Sequence, residues 1–551
     1  MEPTPPLHSK CSDRRQLPRQ DACPSLLNTA LSFILISMAA TPVIRLTLSP
    51  AVSSLLADLQ DLCVQRHIAA FVVGGLVRDL VMGRGKADID IAVAGDALAI
   101  GKEIAGCLNS NCIVLDSENN VVRLLPKKEG ASSGDWQIDL AALQGNLPED
   151  LGRRDFTIDA MAVDLCRLGR TRRNALEATV IDPFNGLGDI QKKLIRAVNP
   201  SVFRQDAIRP LRGVRLGAEL GFAIEPQTEA LIQRDGDLIK NVASERVREE
   251  LLRLFALPGT DETVVYMDKL GLLTAIIPEL AATRDVEQPK EHIWNVFHHS
   301  ARSISATDFI LRKGNWEYAP ASVLESVPWD ETLEKYFEER ISPLSSRRIL
   351  TKLAALLHDI AKPQTRIVNE YGRIRFYGHP QEGAPVAATI LERLRCSTRE
   401  IKFVETVVRY HLRPVQMTEE RELPTKRAVY RYFRDMGEAA IATLYFSLAD
   451  HLATRGPNLE KENWDWHVSV VARLIAEHEK APQPTASPRL LDGHDLQREF
   501  KLLPGHRLGE LLEELREAQA AGEITTRQEA LDYVKKLLKE DEKASPQPDS
   551  D

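Results

Sequence analysis

Two groups of residues in this 551-residue chain have types and spacings suited to chemistry. The first is Asp88-Ile89-Asp90, which follows closely on Gly74-Gly75-Leu76-Val77-Arg78-Asp79. Side chains two residues apart on a strand share a face, so an extended Asp88 to Asp90 projects both carboxylates together and turns Ile89 and Ile91 into a core. Adjacent carboxylates repel one another unless a cation lies between them, and hard oxygen donors near phosphate suit Mg²⁺. Such an ion activates a hydroxyl and bridges a triphosphate, which makes nucleotidyl transfer the implied reaction. Gly74 and Gly75 fall where a strand should give way to a helix, letting the backbone approach a ligand and aim N–H groups at phosphate oxygens. Arg78 is placed to clamp phosphate bidentately, with Asp79 near the positive helix end. Either motif alone would pass for an ordinary turn; their order and the apolar strand around the carboxylates carry the reading.

The second group is spread over the C-terminal half: His292, His298 and His299, then His358-Asp359 at the end of an apolar-periodic stretch, then His379, His411 and Asp450-His451. Imidazoles and carboxylates on separate helices commonly hold a divalent metal, and that arrangement tolerates wide spacing. A lone His is usually structural, but His358-Asp359 near a helix end is not easily explained by packing.

The elements that position these groups follow from periodicity. Residues 51–70 have helical apolar spacing and lead into the strand at 71–73; residues 96–109 read as a helix, and 112–116, 121–125 and 136–140 as strands. Asp139, on the last of these, is either a third active-site carboxylate or a structural one. Residues 127–135 read as a flexible loop rich in Gly, Ser and Lys. From residue 191 onward helices dominate, giving an α+β chain with a mixed-sheet head and a helical remainder. Its length suggests several domains.

Composition narrows the class. The net charge is −8, so any RNA must be met by a local basic face rather than an overall basic field. Seven cysteines, scattered and without a Cys-x-x-Cys pair, argue against a disulfide framework and a zinc-thiolate site, and fit a reducing cytoplasm. Residues 1–50 read as a leader outside the fold, either an extension ahead of a start at Met38 or an organellar address. No membrane partner is expected.

Around Gly74-Gly75, Arg78-Asp79 and Asp88-x-Asp90 the chain resembles the class II tRNA nucleotidyltransferase and bacterial poly(A) polymerase family. Later stretches extend the resemblance. Arg153-Arg154-Asp155 resembles the second family motif, which implies triphosphate contact for Arg154 and ribose contact for Asp155; Asp159 stands where the family more often has Asn. The turn-rich stretch 182–189 resembles a hinge motif. Gln205-Asp206-Ala207-Ile208-Arg209 resembles the motif whose Asp and Arg read the incoming base, with Gln205 in place of the usual Glu, while Arg212 and Arg215 recur on the same face to support the triphosphate. Pro210 marks a kink or a helix start. Ser244 is expected to cap a helix resembling the fifth motif.

The His, His-Asp, Asp order resembles the HD phosphohydrolase superfamily, which implies His299, His358, Asp359 and Asp450 as ligands of a transition metal, with His298 as the alternative to His299 and with His379 and His411 as candidates for a second ion. It also implies phosphatase or 2′,3′-cyclic phosphodiesterase activity. The resemblance as a whole implies a head at 51–190, a nucleotide- and RNA-binding neck at 191–265, an HD-type body at 266–480, and a linker with a C-terminal helical module at 481–551. It also implies tRNA, CTP and ATP as partners and addition of CCA, or of its A or CC part. A poly(A) polymerase, or an HD phosphohydrolase with a noncatalytic head, are the alternatives.

Overall fold

The computed structural model describes residues 43–46, 50–84, 88–127, 136–170, 176–417, 421–480 and 489–544. The head is built on one mixed sheet of nine strands: β1 (Val43–Leu46), β2 (Ala70–Val73), β3 (Asp88–Val93), β4 (Ser110–Asp116), β5 (Val121–Pro126), β6 (Gln137–Ala142), β7 (Ala162–Asp164), β8 (Gly169–Arg170) and β9 (Leu176–Ile181). Its order is β1-β9-β7-β2-β3-β6-β5-β4, with β8 beside β9, and β3 with β6 is its parallel pair. A parallel pair needs a crossover, and α3 (Ala97–Cys107) supplies one, capped by Asp96 through Leu98 and Ala99 N–H.

Helix α1 (Pro50–Arg66) buries Leu56, Leu59 and Cys63 at helical spacing in the same core as Ile89, Ile91 and Leu140. The opposite face of the sheet carries a smaller cluster with Val73, Ala92 and Leu151. Strand alternation therefore puts Asp90 on the face that is not filled by α1 and α3. A seven-residue helix, α2 (Gly75–Val81), follows β2 directly.

Beyond the head the chain is helical. α4 (Arg209–Leu220) and α5 (Ser244–Phe255) pack together in the neck, and α6 (Val296–Ile310), α7 (Arg347–Leu357), α8 (His379–Arg393), α9 (Thr398–Tyr410), α10 (Lys426–Met436) and α11 (Ala440–Arg455) make the body. One apolar core runs from Phe156 and Phe203 through Leu353 to Tyr445 and Ile475, so the expected border at residue 265 is no break in packing. The stretch 313–345 contributes to this core through Trp316 and through Trp329, stacked on Phe337 at 5.8 Å. The C-terminal module has a core of its own around Leu496, Leu511 and Val534. Its helix α12 (His506–Ala521) turns acidic residues onto α10, where Glu513 meets Arg434 and Glu517 meets Arg431, each at 2.5 Å. That acidity serves docking.

Several expectations are corrected. Residues 43–46 of the supposed leader form an edge strand, Val43 pairing with Thr179; residues 1–42 and the linker at 481–488 lie outside the described residues. Most of the 127–135 loop does as well. The 182–189 stretch is half helix: Asp182 accepts from Gly186 and Leu187 N–H at 2.7 and 2.9 Å and starts the helix Gly186–Lys192. Ser244 is the first helical residue and makes no capping bond; Ala243 occupies the cap position. Pro210 sits in the first turn of α4, where its missing N–H costs nothing, so of the two readings the helix start holds and the kink does not. Among the described residues no helix is long and apolar enough to cross a membrane.

Candidate functional site

Strand β2 ends at Gly74, whose φ of 75° and ψ of −142° suit glycine alone. A Cβ there would stand 2.6 Å from Arg154 Nη1 and 3.3 Å from Asp90 Oδ2. The turn, a carboxylate of β3 and an arginine some eighty residues away in sequence thus converge on one point that has room only for hydrogen. Asp88 lies two positions before Asp90 in β3, in register with Gln137; its side chain is outside the described residues. The parallel register sets Asp90 opposite Asp139, and Asp139 is held by Arg123 through two contacts of 2.8 Å. That pairing is the structural alternative for Asp139.

Two expectations at this turn are modified. The Gly74 N–H is directed to the Met161 carbonyl at 3.4 Å, so the phosphate cradle does not include it. Arg78 is 4% exposed, with its Nε donating to Asp79 at 3.0 Å and its Nη1 to Asp159 at 2.6 Å. It ties α2 to the turn Thr157–Asp159 and, held in that way, lines the floor of the cleft with Asp79 and Asp159. Burial pushes the Asp159 carboxyl up to about 6, against the pull of Arg78.

Above this floor lies a cleft of about 560 Å³ between the head and helices α4 and α5, lined in part by Gly75, Asp90, Arg154, Arg212, Arg215 and Arg253. A second lobe of about 600 Å³ adjoins it, lined by Gln144, Arg153, Gln205 and Arg209 among others; Arg154, Asp155 and Arg212 line both. Each lobe has the size of a small-molecule site, and an arginine-rich wall focuses positive potential on a polyphosphate. Arg154 keeps its Nε buried without a hydrogen-bond partner, which leaves donor capacity for a ligand.

The neck supplies the remaining side chains as a network. Arg212 donates to Asp155 at 3.0 Å and to Glu250 at 3.3 Å, and Arg215 to Glu250 at 2.5 Å. Burial alone would lower the Arg212 pKa; Asp155 and Glu250 outweigh it and hold the group firmly protonated. The expected base-reading pair is not closed: Asp206 interrupts the helical stretch with extended backbone, and its oxygens accept from Arg246 at 3.0 and 2.7 Å. Arg209 stays 4.0 Å from Asp206 and donates to the Arg153 carbonyl at 2.8 Å. Gln144 and Arg253 were not singled out from the sequence, and Arg153, Arg246 and Glu250, which fall in motif stretches, were given no role of their own. Arg246, Glu250 and Arg253 share one face of α5 by their spacing, a signal that helical periodicity could have revealed.

The second group of ligands assembles inside the body. His299 from α6 is 1% exposed and places Nε2 3.3 Å from His358 Nε2 and 3.0 Å from Asp450 Oδ1; His298 next to it is exposed, so His299 is the one that faces the cluster. His358 Nε2 lies 3.1 Å from Asp359 Oδ2, and His379 Nε2 3.2 Å from Asp359 Oδ1. Ligand atoms of His299, His358 and Asp359 converge, as do those of Asp359, His379 and His411, so Asp359 bridges two groups. The Nδ1 atoms of His358, His379 and His411 each meet the carbonyl three residues back, at 2.7 to 2.8 Å, which turns every Nε2 inward. Asp359 Oδ1 and Oδ2, Asp450 Oδ1 and His379 Nε2 are buried without a satisfactory hydrogen bond. Burial lowers His299, and it holds His411 down to about 3 with help from the neighbouring imidazoles. It would raise Asp359, but His358 and Lys362 keep that carboxyl well below the usual range. Burial would lower His358, but Asp359 and Asp450 outweigh it and hold that imidazole above its ordinary value. His299 and His411 are therefore the neutral imidazoles beside the ionised carboxylates, and a divalent metal would take the place of the His358 proton.

A carboxylate strand against a glycine turn, closed over by arginines of a helical neck, places the protein among nucleotidyltransferases with a poly(A) polymerase-type head and an HD-type body. Residues 70–196 match the poly A polymerase head domain model, 221–283 the model of a probable RNA and SrmB-binding site of polymerase A, and 331–455 the HD domain model. The A-adding tRNA nucleotidyltransferase of Deinococcus radiodurans is 31% identical over 477 residues, covering 86% of this chain and 96% of that one. The CC-adding tRNA nucleotidyltransferase of Thermus thermophilus is 31% identical over 472 residues, covering 84% and 93%. The CCA-adding enzyme of Thermotoga maritima, solved in complex with tRNA, shares the fold at a TM-score of 0.55 and 21% identity, over 89% of this chain and 96% of that one. The chain belongs to the tRNA nucleotidyltransferase and poly(A) polymerase family.

Proposed function

We propose that the protein adds CCA, or its A or CC part, to tRNA 3′ ends from CTP and ATP without a nucleic-acid template, and that it works in the cytoplasm. The observation that carries this reading is the convergence of Gly74, Asp90 and Arg154 at the mouth of an arginine-lined cleft. Mg²⁺ held by Asp88 and Asp90 would acidify the tRNA 3′ hydroxyl and offset the triphosphate charge. Arg154, Arg212 and Arg215 would receive the triphosphate and the departing pyrophosphate, and Asp155 the ribose. Gly74 and Gly75 would let the nucleotide approach the backbone closely, with Arg78 and Asp79 fixing the floor beneath it. Arg209 and Asp206 would present donors and acceptors to the base, with Arg246 orienting the Asp206 carboxylate, each oxygen of which keeps a lone pair for the base.

Two readings of specificity remain distinct. The protein completes CCA by itself, or it adds one part, as the Deinococcus radiodurans and Thermus thermophilus relatives are named for doing. Three tRNA transcripts, lacking CCA, ending in C and ending in CC, are incubated with CTP, ATP or both, and their 3′ ends are sequenced. Completion on all three supports a single switching pocket at Asp206 and Arg209. Addition of A to the CC end alone, or of CC alone, supports the divided reading. Long A tails would replace both with poly(A) synthesis, and no addition would move the activity to the body. There, a transition metal on His299, His358, Asp359 and Asp450, with a second on His379 and His411, would support phosphatase or 2′,3′-cyclic phosphodiesterase chemistry.

A further inference from the structure

Between Asp359 and His379 the chain makes a small antiparallel hairpin, Arg366–Val368 with Ile374–Phe376, in the register Arg366 to Phe376 and Val368 to Ile374. Nothing in the reading above uses it. The hairpin is anchored to the metal-type cluster at one end: the Phe376 carbonyl faces His379 Nδ1 at 2.8 Å, and its ring lies 5.3 Å from Lys362 Nζ, itself 2.6 Å from Asp359. The rest projects outward. Tyr371 at the tip is 79% exposed and Tyr377 at the base 68%. Pairing places Ile367 across from Arg375, so strand alternation puts Ile367, Arg373 and Arg375 on one face.

The charge of this element is as unusual as its exposure. It carries Arg366, Arg373 and Arg375 against one acid, Glu370, in a chain of net charge −8. Elsewhere in the body arginines are spent on carboxylates, Arg347 on Glu339, Arg393 on Glu279 and Arg399 on Glu438. Among the described residues none of the three hairpin arginines makes such a pair. Solvated arginines alternating with exposed aromatic rings on a ribbon are the requirement for a single nucleic-acid strand, whose bases stack on the rings while its phosphates meet the guanidinium groups. From Phe376 to Tyr371 the ribbon extends about 17 Å at about 3.3 Å per residue, room for a few nucleotides.

We propose that this hairpin is a binding site for single-stranded RNA, which it delivers end-first to the His299, His358, Asp359 and His379 cluster. The site is separate from the head-neck cleft, and its existence does not depend on what the head adds to RNA.

The test uses the full chain and a short fluorescein-labelled single-stranded RNA carrying 4-thiouridine. Photocrosslinks mapped by mass spectrometry are expected within residues 366–377. R373E/R375E should weaken binding at least tenfold and, with two phosphate contacts gone, reduce the magnitude of the log–log salt slope by about 1.4. Y371A/Y377A should weaken binding about tenfold or more with the slope unchanged. Nucleotide incorporation into tRNA should be unchanged in both variants, which reports an intact fold and keeps this proposal separate from the one above. Crosslinks confined to the head and neck, or affinity and slope unchanged in both variants, would overturn it. So would loss of self-association in sedimentation with RNA crosslinking intact, which would make the hairpin an interface between copies of this chain.

Discussion

Replacing Gly74 by alanine should be far more damaging than the same change at Gly75, and the difference can be worked from the backbone. At φ 75° and ψ −142° Gly74 occupies a region that residues with a Cβ adopt only at a cost of about 1–3 kcal/mol. The new methyl would also meet Arg154 Nη1 at 2.6 Å, so the guanidinium must retreat by about 0.8 Å to reach an ordinary contact of 3.4 Å. A displacement of that order in a group that positions substrate costs about 100-fold in rate, or roughly 2.7 kcal/mol of transition-state stabilisation. Gly75 is helical, and its added Cβ would lie 3.3 Å from Arg78 Nη2, a contact relieved by a few tenths of an ångström. Alanine also restricts the unfolded chain more than glycine does, which offsets that strain by about 0.4–1 kcal/mol at a backbone conformation it can adopt. Steady-state nucleotide incorporation and thermal unfolding of both variants decide the matter: G74A should lose about two orders of magnitude in kcat/KM and several degrees in Tm, while G75A stays within about tenfold and near the parent Tm. Equal impairment of the two, or near-full activity of G74A, would refute the convergence of Gly74, Asp90 and Arg154 as the basis of the site.

Two further predictions concern the body. Lys352 is fully buried, donating to the Leu257 carbonyl at 2.6 Å, to Thr260 at 3.0 Å and to Asp308 at 2.7 Å, so K352M should cost about 3–5 kcal/mol by stranding the Asp308 carboxylate. The double variant K352M/D308L should recover most of that in denaturant unfolding; no recovery would show that the ion pair is not the cause. H358A should lose bound divalent metal, measured by inductively coupled plasma mass spectrometry after dialysis, while incorporating nucleotides at the parent rate. Parent metal content in H358A would remove His358 from the ligand set.

The α+β class, the strands flanking Asp88 and Asp90, and the helical remainder were legible because local periodicity and turn residues specify them. What stayed hidden depends on partners distant in sequence. The edge strand Val43–Leu46 is four residues long and is defined only by pairing with β9, so it was merged with the leader. Arg78 reads as a free phosphate clamp until Asp159, 81 residues on, is seen to hold it in the floor of the cleft. Asp206 looks like the partner of Arg209 by spacing, yet Arg246 of α5 takes its oxygens. In the body, His299 and His298 differ by one position on α6, and only packing shows which points inward. The bridging role of Asp359 between two histidine groups likewise needs the helices placed together.

The central claim is that the carboxylates of β3 perform nucleotidyl transfer to tRNA. The most direct measurement is incorporation of labelled CTP and ATP into tRNA by the D88N/D90N variant, beside its affinity for the same tRNA. The account predicts no detectable incorporation with tRNA binding close to that of the parent protein. Incorporation at a rate near the parent's would contradict it.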